Sequence, residues 1–122
     1  MTAYNGNLPR SDLRFTVPII SGTTTAISAL GTSSTQVIGV DNNRTEIEFH
    51  NPNTISNDVI YVCQSVDVNG NALTAGPGNG GTYTIFPGAS RVFRGQCQMA
   101  FNAAASAAGA GLTINSMSSP SS

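Results

Sequence analysis

Residues 44–62 read RTEIEFHNPNTISNDVIYV. Glu46, Glu48 and His50 alternate with Ile47 and Phe49, so an extended chain puts three polar side chains on one face and two apolar ones on the other. That period of two is the signature of a half-buried strand, with Ile47 and Phe49 toward a core. Asn51-Pro52-Asn53-Thr54 then breaks it, because proline cannot donate to a ladder and asparagine bonds its own local backbone. The next run, Val59-Ile60-Tyr61-Val62-Cys63, is almost wholly apolar, as expected of a strand covered on both faces. The two runs are expected to form a hairpin with residues 51–58 as its loop.

Outward from this stretch the same grammar repeats. Residues 24–30 alternate, with Ile27 and Ala29 on one face and Gly31 closing the run. Residues 36–40 lead into Asp41-Asn42-Asn43, a turn cluster. Residues 82–86 resume β character, Pro87-Gly88-Ala89-Ser90 turns the chain, and residues 91–94 follow. Residues 96–101 alternate cleanly, with Cys97, Met99 and Phe101 on one face and Gln96 and Gln98 on the other. The alanine-rich segment 102–111 has good helix formers, but it is too short for a helix and is undercut by Gly109 and Gly111. It is expected to be the loop of a final hairpin that ends in a strand over 112–117.

About eight short strands, turn signals every 8–12 residues or so and no amphipathic helix predict an all-β fold. The expected architecture is an antiparallel β-sandwich or small barrel of jelly-roll type. Residues 1–14 carry turn residues without periodicity and read as an irregular N-terminal arm. In residues 15–20, which are apolar, Pro18 confines the run to an edge or bend. The expected organisation is an arm at 1–14, one domain at 15–117 and a flexible tail at 118–122.

Composition narrows the function. Of 122 residues only 9% are charged, against roughly 25% in an average soluble domain. There is no lysine; the cations are Arg10, Arg14, Arg44, Arg91 and Arg94. A surface this poor in charge fits one that is packed against neighbours. The net charge of −1 and the absence of a basic cluster argue against nucleic-acid binding. No segment approaches a membrane-spanning run, and the opening residues do not form a signal peptide. Cys63 and Cys97 lack metal-ligand spacing and read as two buried thiols, with a disulfide as the alternative.

Candidate sites fail on their chemistry. Gly76-Pro77-Gly78-Asn79-Gly80-Gly81 has dinucleotide-loop spacing but leads into a strand rather than a helix, and a phosphate loop would need lysine where Thr82 stands. Asp67-Val68-Asn69-Gly70-Asn71 resembles a calcium loop, yet Ala72 and Gly78 occupy the positions that require Gly and Glu. One histidine and scattered carboxylates specify no nucleophile, acid pair or metal site. The row Glu46, Glu48, His50 therefore reads as a sheet surface, with Arg44 and an arginine from another strand, Arg91 or Arg94, as partners for the carboxylates. No catalytic residue, cofactor or metal is expected.

From residue 44 onward the order of features resembles a class of small β-sandwich proteins of tailed-bacteriophage virions. The shared order is a strand that starts with an arginine and enters an Asn-rich turn (44–53), an I-Y-V strand (59–63) and a Gly-rich loop (76–81). A strand closed by Pro87-Gly88 (86–90) and two strands around an Ala/Gly/Ser loop (99–114) complete it. The aromatic that this class carries after the P-G strand is missing, with Phe93 and Phe101 as substitutes, and the first 43 residues lie outside the resemblance. It implies a non-enzymatic virion protein, foremost a head-decoration (cement) protein that stabilises the shell. The alternatives are a neck, tail or fibre component, or a carbohydrate- or receptor-binding adhesin, for which only Tyr4, Tyr61 and Tyr83 supply tyrosine. The implied partners are the major capsid protein or other virion proteins and further copies of the chain, with a trimer favoured. The implied location is the virion, assembled in the host cytoplasm. Arg10, Arg14, Arg44, Glu46, Glu48, Arg91 and Arg94 are the expected subunit contacts.

Overall fold

The alternation around Ile47 and Phe49 is realised as a strand, and most other β-type runs follow it. A computed structural model of the chain describes residues 21–119; the expected arm, the run 15–20 and residues 120–122 lie outside it. The strands are β1 Ser21–Leu30, β2 Thr35–Ile38, β3 Arg44–His50, β4 Ile60–Gln64, β5 Tyr83–Ile85, β6 Ser90–Phe93, β7 Phe101–Ala105 and β8 Ala110–Ser118. Among the described residues there is no helix. Two four-stranded antiparallel sheets result, ordered β1-β8-β3-β6 and β2-β7-β4-β5. This is the strand order of an eight-stranded jelly roll, so the expected antiparallel sandwich is what the chain builds.

The core lies between the sheets. Ile47, Phe49, Leu112 and Ile114 from the first sheet meet Ile60, Val62, Ile85, Phe101 and Ala103 from the second. Phe49, Phe93 and Phe101 form its aromatic centre, with ring centroids 5.0–5.9 Å apart in edge or tilted geometry, a favourable arrangement of ring quadrupoles. A smaller cluster of Cys63, Ala75 and Ala104, joined by Tyr61 and Leu73, lies on the other side of the second sheet. There the loop 65–82 folds back over the sheet, held by Asn102 Nδ2 donating to the Leu73 carbonyl at 3.0 Å. The apolar run of β4 is thereby covered on both faces, as its composition predicts.

Two expectations are corrected. Residues 44–62 do not form a hairpin: β3 pairs with β6 and β8, whereas β4 pairs with β5 and β7 in the opposite sheet. The connection crosses the end of the sandwich, organised by Asn51, which is 0% exposed. Its Nδ2 donates to the carbonyls of Asp58 and Ile85, both at 2.8 Å, and its Oδ1 accepts from the Asn53 backbone N–H and Nδ2. Asn53 in turn brackets Gly111, accepting its N–H and donating to its carbonyl, each at 2.8 Å. The Phe86–Ala89 turn docks on the same knot through the Gly88 N–H to the Asn51 carbonyl, with Gly88 at φ 82°, the positive φ that the residue after Pro87 needs in a type II turn.

The second correction concerns residues 96–105. The alternating stretch 96–100 is not a strand, and the alanine segment is: β7 starts at Phe101 and carries Ala103, Ala104 and Ala105, all buried. Small side chains suit a strand sandwiched between the core and the folded-back loop, and that packing overrides alanine's helical preference. Only residues 106–109 turn the chain into β8. That strand runs through Ser118, and Ser119 donates its N–H to the Asn43 carbonyl at 2.9 Å.

Candidate functional site

The polar row of β3 lies on the outer face of the first sheet, flanked by β8 and β6. Glu46 takes an ion pair from Arg94 at 3.0 Å, in which the Arg94 side chain is 75% exposed. Glu48 accepts from Asn115 Nδ2 at 2.8 Å, and Asn115 Oδ1 accepts from the Thr24 hydroxyl at 2.7 Å. His50 Nδ1 lies 2.7 Å from the Ser90 hydroxyl. Each polar group is met by its own cross-strand neighbour, as register dictates. Among the described residues no three His, Cys, Asp or Glu side chains come together as metal ligands. The row is a hydrogen-bonded sheet surface spanning four strands.

Arg44 behaves differently from the rest of its strand. A register shift between Arg44 and Glu46 in the pairing with β8 turns its side chain inward. It is 3% exposed. Its guanidinium donates to the carbonyls of Cys97 at 2.7 Å, Met99 at 3.1 Å and Gly39 at 2.8 Å. Those bonds explain why 96–100 is not a strand: carbonyls that a ladder would use are committed to the arginine. Nε is the one buried side-chain polar atom without a hydrogen-bond partner among the described residues. Arg44 is therefore an internal staple and not a group presented to a subunit. Beside it, Asp41 is held below its usual carboxylate range by the Asn43 backbone N–H and the Ser118 hydroxyl, with Arg44 adding attraction.

The other expected contact residues divide. Arg91 is exposed and stacks over the Tyr83 ring at 4.3 Å and beside Phe93 at 5.5 Å, roofing the side of the sandwich where β5 and β6 meet. Arg94, Glu46 and Glu48 belong to the polar face. Arg10 and Arg14 lie outside the described residues. Asp67 uses its Oδ1 to accept the N–H groups of Asn69 and Asn71; it organises a turn, as the failed calcium spacing predicts. Cys63 and Cys97 are both free and buried. Cys97 sits in the main core and Cys63 in the smaller cluster. An open cleft of about 280 Å³ is lined by Gln64, Asp67, Gln96, Gln98 and Met99 among others. Its carboxylate is the one already engaged in the turn, and no nucleophile faces it.

What sequence reasoning missed is a sheet edge. Among the described residues β1 pairs only with β8. It is ten residues long, SGTTTAISAL, with no charge and no proline, and it is mostly exposed. The three other edges are short or guarded. β2 has four residues and a register shift between Gln36 and Ile38. β5 has three residues under the Arg91 stack. β6 has four, carries Arg91 and is followed by Arg94. β1 keeps a regular register with β8 from Ser21 to Ile27 and shifts only before Leu30; long, uncharged edges are templates for pairing with another chain, and proteins ordinarily blunt them.

Comparison with known proteins gives a relation of fold. No protein-family model matches the chain, and no curated protein matches it in sequence. A solved chain from work described as "Bacillus endospore appendages form a novel family of disulfide-linked pili" is similar, with a TM-score of 0.51 at 14% identity, over 86% of this chain and 92% of that one.

Proposed function

We propose that this chain is a non-enzymatic structural subunit that assembles with copies of itself through the free edge of β1. The observation that carries this reading is the edge itself, ten residues without a charge, proline or cover among the described residues. Two facts support it. The charged fraction of 9% removes much of the repulsion that keeps soluble domains apart. The similar fold belongs to a protein described as forming pili. That protein's pili are described as disulfide-linked, whereas both cysteines here are free and buried, so the contacts proposed for this chain are non-covalent.

The test is Thr25→Lys. Thr25 pairs with Ile114 yet stays exposed, so lysine there is tolerated by the fold and places an inward-pointing charge on the edge. Sedimentation velocity across a concentration series should show the parent chain assembling and the variant monomeric with unchanged circular dichroism. Equal assembly of both would refute the role of β1.

A second reading is favoured by the order of features over 44–114: a decoration protein on a tailed-phage head, a homo-oligomer bound to the major capsid protein and found in the virion. Its signature is stoichiometric addition to preformed shells with a raised shell melting temperature, and a chain that binds no shell has another role.

A further inference from the structure

We infer that copies of this chain also meet end to end, with Ile55 of one copy entering the cleft beside Gln64, Val68 and Gln96 of the next. The inference rests on the proposed self-assembly and adds a second contact to that of β1. The two features stand at opposite ends of the sandwich. β4 runs from the loop that carries Ile55 to the loop that carries Val66 and Val68, and β6 runs from the Phe86–Ala89 turn to Gly95 and Gln96. At the Ile55 end four loops are tied together. Gly88 donates its N–H to the Asn51 carbonyl, Ser106 to that of Val59, Ala105 to that of Gly31 and Gly109 to that of Leu30. Ile55 is 97% exposed there, and Phe86 is exposed on the adjoining turn. The loop is braced from within, by the Asn57 N–H on the Asn53 carbonyl at 2.8 Å and the Ser56 hydroxyl on Asp58 at 3.1 Å. Asn57 makes the turn at φ 61°, in the left-handed region that asparagine enters more readily than most residues. Held in this way, Ile55 has little backbone freedom left to lose on contact.

The cleft at the other end has the size of a side-chain socket. Its volume is about 280 Å³, just below the range of roughly 300–1,000 Å³ usual for small-molecule sites. Val66, Val68 and Met99 supply apolar wall, and Gln64, Gln96 and Gln98 supply amides. Val68 is 94% exposed. Among the described residues the two most exposed large apolar side chains, Ile55 and Val68, thus mark the two opposite ends, and each can take the other out of water. Charge agrees with that orientation. Asp58 is the one charged residue in the loops 31–34, 51–59, 86–89 and 106–109. Arg94 adjoins Gly95 of the cleft, is exposed, and bonds only through Nε, to Glu46, among the described residues. Its terminal nitrogens are therefore available to a carboxylate arriving with Ile55, whereas tip against tip would set Asp58 against Asp58. Tip into cleft is a heterologous contact, which builds a ring or an open filament and not a closed pair. It is also a small contact, so it adds to the pairing through β1 and does not replace it.

The experiment uses the full chain. Ile55→Cys and Val68→Cys are made in separate molecules, mixed at an assembling concentration and oxidised mildly, Cys63 and Cys97 being buried. A disulfide-linked heterodimer in high yield supports the inference, as does a covalent ladder from a chain that carries both substitutions. Preferential linking of Ile55→Cys to itself overturns it, since tip then meets tip. Ile55→Asp and Val68→Asp change side chains that already stand in solvent, so circular dichroism should not alter. Each should raise the concentration of half-assembly roughly tenfold. If the parent assembles, Thr25→Lys abolishes assembly and both aspartate variants change nothing, this inference fails while the β1 reading stands. If the parent does not self-associate at any concentration, both fail.

Discussion

Replacing Asn51 tests whether one buried amide fixes the crossover between the sheets. In Asn51→Ala four side-chain hydrogen bonds disappear, two donated to the Asp58 and Ile85 carbonyls and two accepted from Asn53. At about 1 kcal/mol net per bond, with a further penalty for the buried groups left unmatched, the loss should be about 3–5 kcal/mol. That is a large part of a typical domain's stability of about 5–15 kcal/mol. Asn51→Asp is the sharper variant. It keeps the acceptor toward Asn53 but turns the two-bond donor into an oxygen set against two carbonyl oxygens that Nδ2 reaches at 2.8 Å. Burial and those carbonyls oppose ionisation, so the introduced carboxyl should have a folded-state pKa above its unfolded value. The folded state then binds the proton more tightly, and stability falls as pH rises. The deficit relative to the parent should be smallest below the unfolded Asp pKa of about 3.9 and should grow above it. Urea unfolding of parent and both variants at pH 7 and near pH 3.5 measures this. An Asn51→Ala loss under about 1 kcal/mol, or an Asp deficit that grows with acid, would refute the account of the knot.

Arg44→Leu strips the carbonyls of Gly39, Cys97 and Met99 of their shared donor, and should cost about 2–4 kcal/mol in urea unfolding. Arg44→Lys should recover little of it, because one ammonium cannot reproduce the planar fork. Asp41 and Asp67 are both held below the usual carboxylate range by local backbone N–H groups, those of Asn43 and Asn71 foremost. Each therefore stabilises the fold at pH above its unfolded value and loses that contribution as pH falls through the lowered folded value. Carboxyl titration by NMR should show both midpoints below a model peptide, and Asp41→Asn should flatten the acid limb of the stability profile. The thiol of Cys63 is pushed up by burial, and Cys97 is buried with its Sγ 3.3 Å from the Arg44 and Arg94 carbonyls. Both should resist a thiol reagent in the native protein and react on unfolding, and the melting temperature should not respond to reductant.

The class of fold was legible because strand formation leaves a period-two trace. β3, β5 and β8 lie close to their expected places, and the apolar run of β4 signalled cover on both faces. Strand partners left no such trace. A turn-rich gap of eight residues after His50 looks the same whether the chain turns back or crosses the sandwich, and the decision falls to Asn51, whose burial no local pattern reveals. Arg44 was misread for a related reason. It was expected to partner the carboxylates of the outer row and to contact a subunit, and a register shift between Arg44 and Glu46 turns it inside. The alternating stretch 96–100 met the same fate, because its carbonyls answer an arginine some 50 positions earlier. Long-range bonds reset what short-range periodicity proposes.

The polar row and the free edge invert the weight that composition gives them. Glu46, Glu48 and His50 stand out because ionisable side chains attract chemical hypotheses, yet every one of them is answered by a neighbour in register. β1 looks bland, a string of small neutral residues, and the blandness is the signal. Edges in soluble domains carry a lysine, a proline, a bulge or an inward charge because an unguarded row of N–H and C=O groups pairs with whatever strand it meets. Among the described residues β1 carries none of these from Ser21 to Ile27, and its register with β8 shifts only between Ile27 and Leu30. On the core side of that stretch Thr23 and Thr25 are exposed among the described residues. The proposed pairing therefore belongs to β1 and not to the edges beside Arg91 and Arg94.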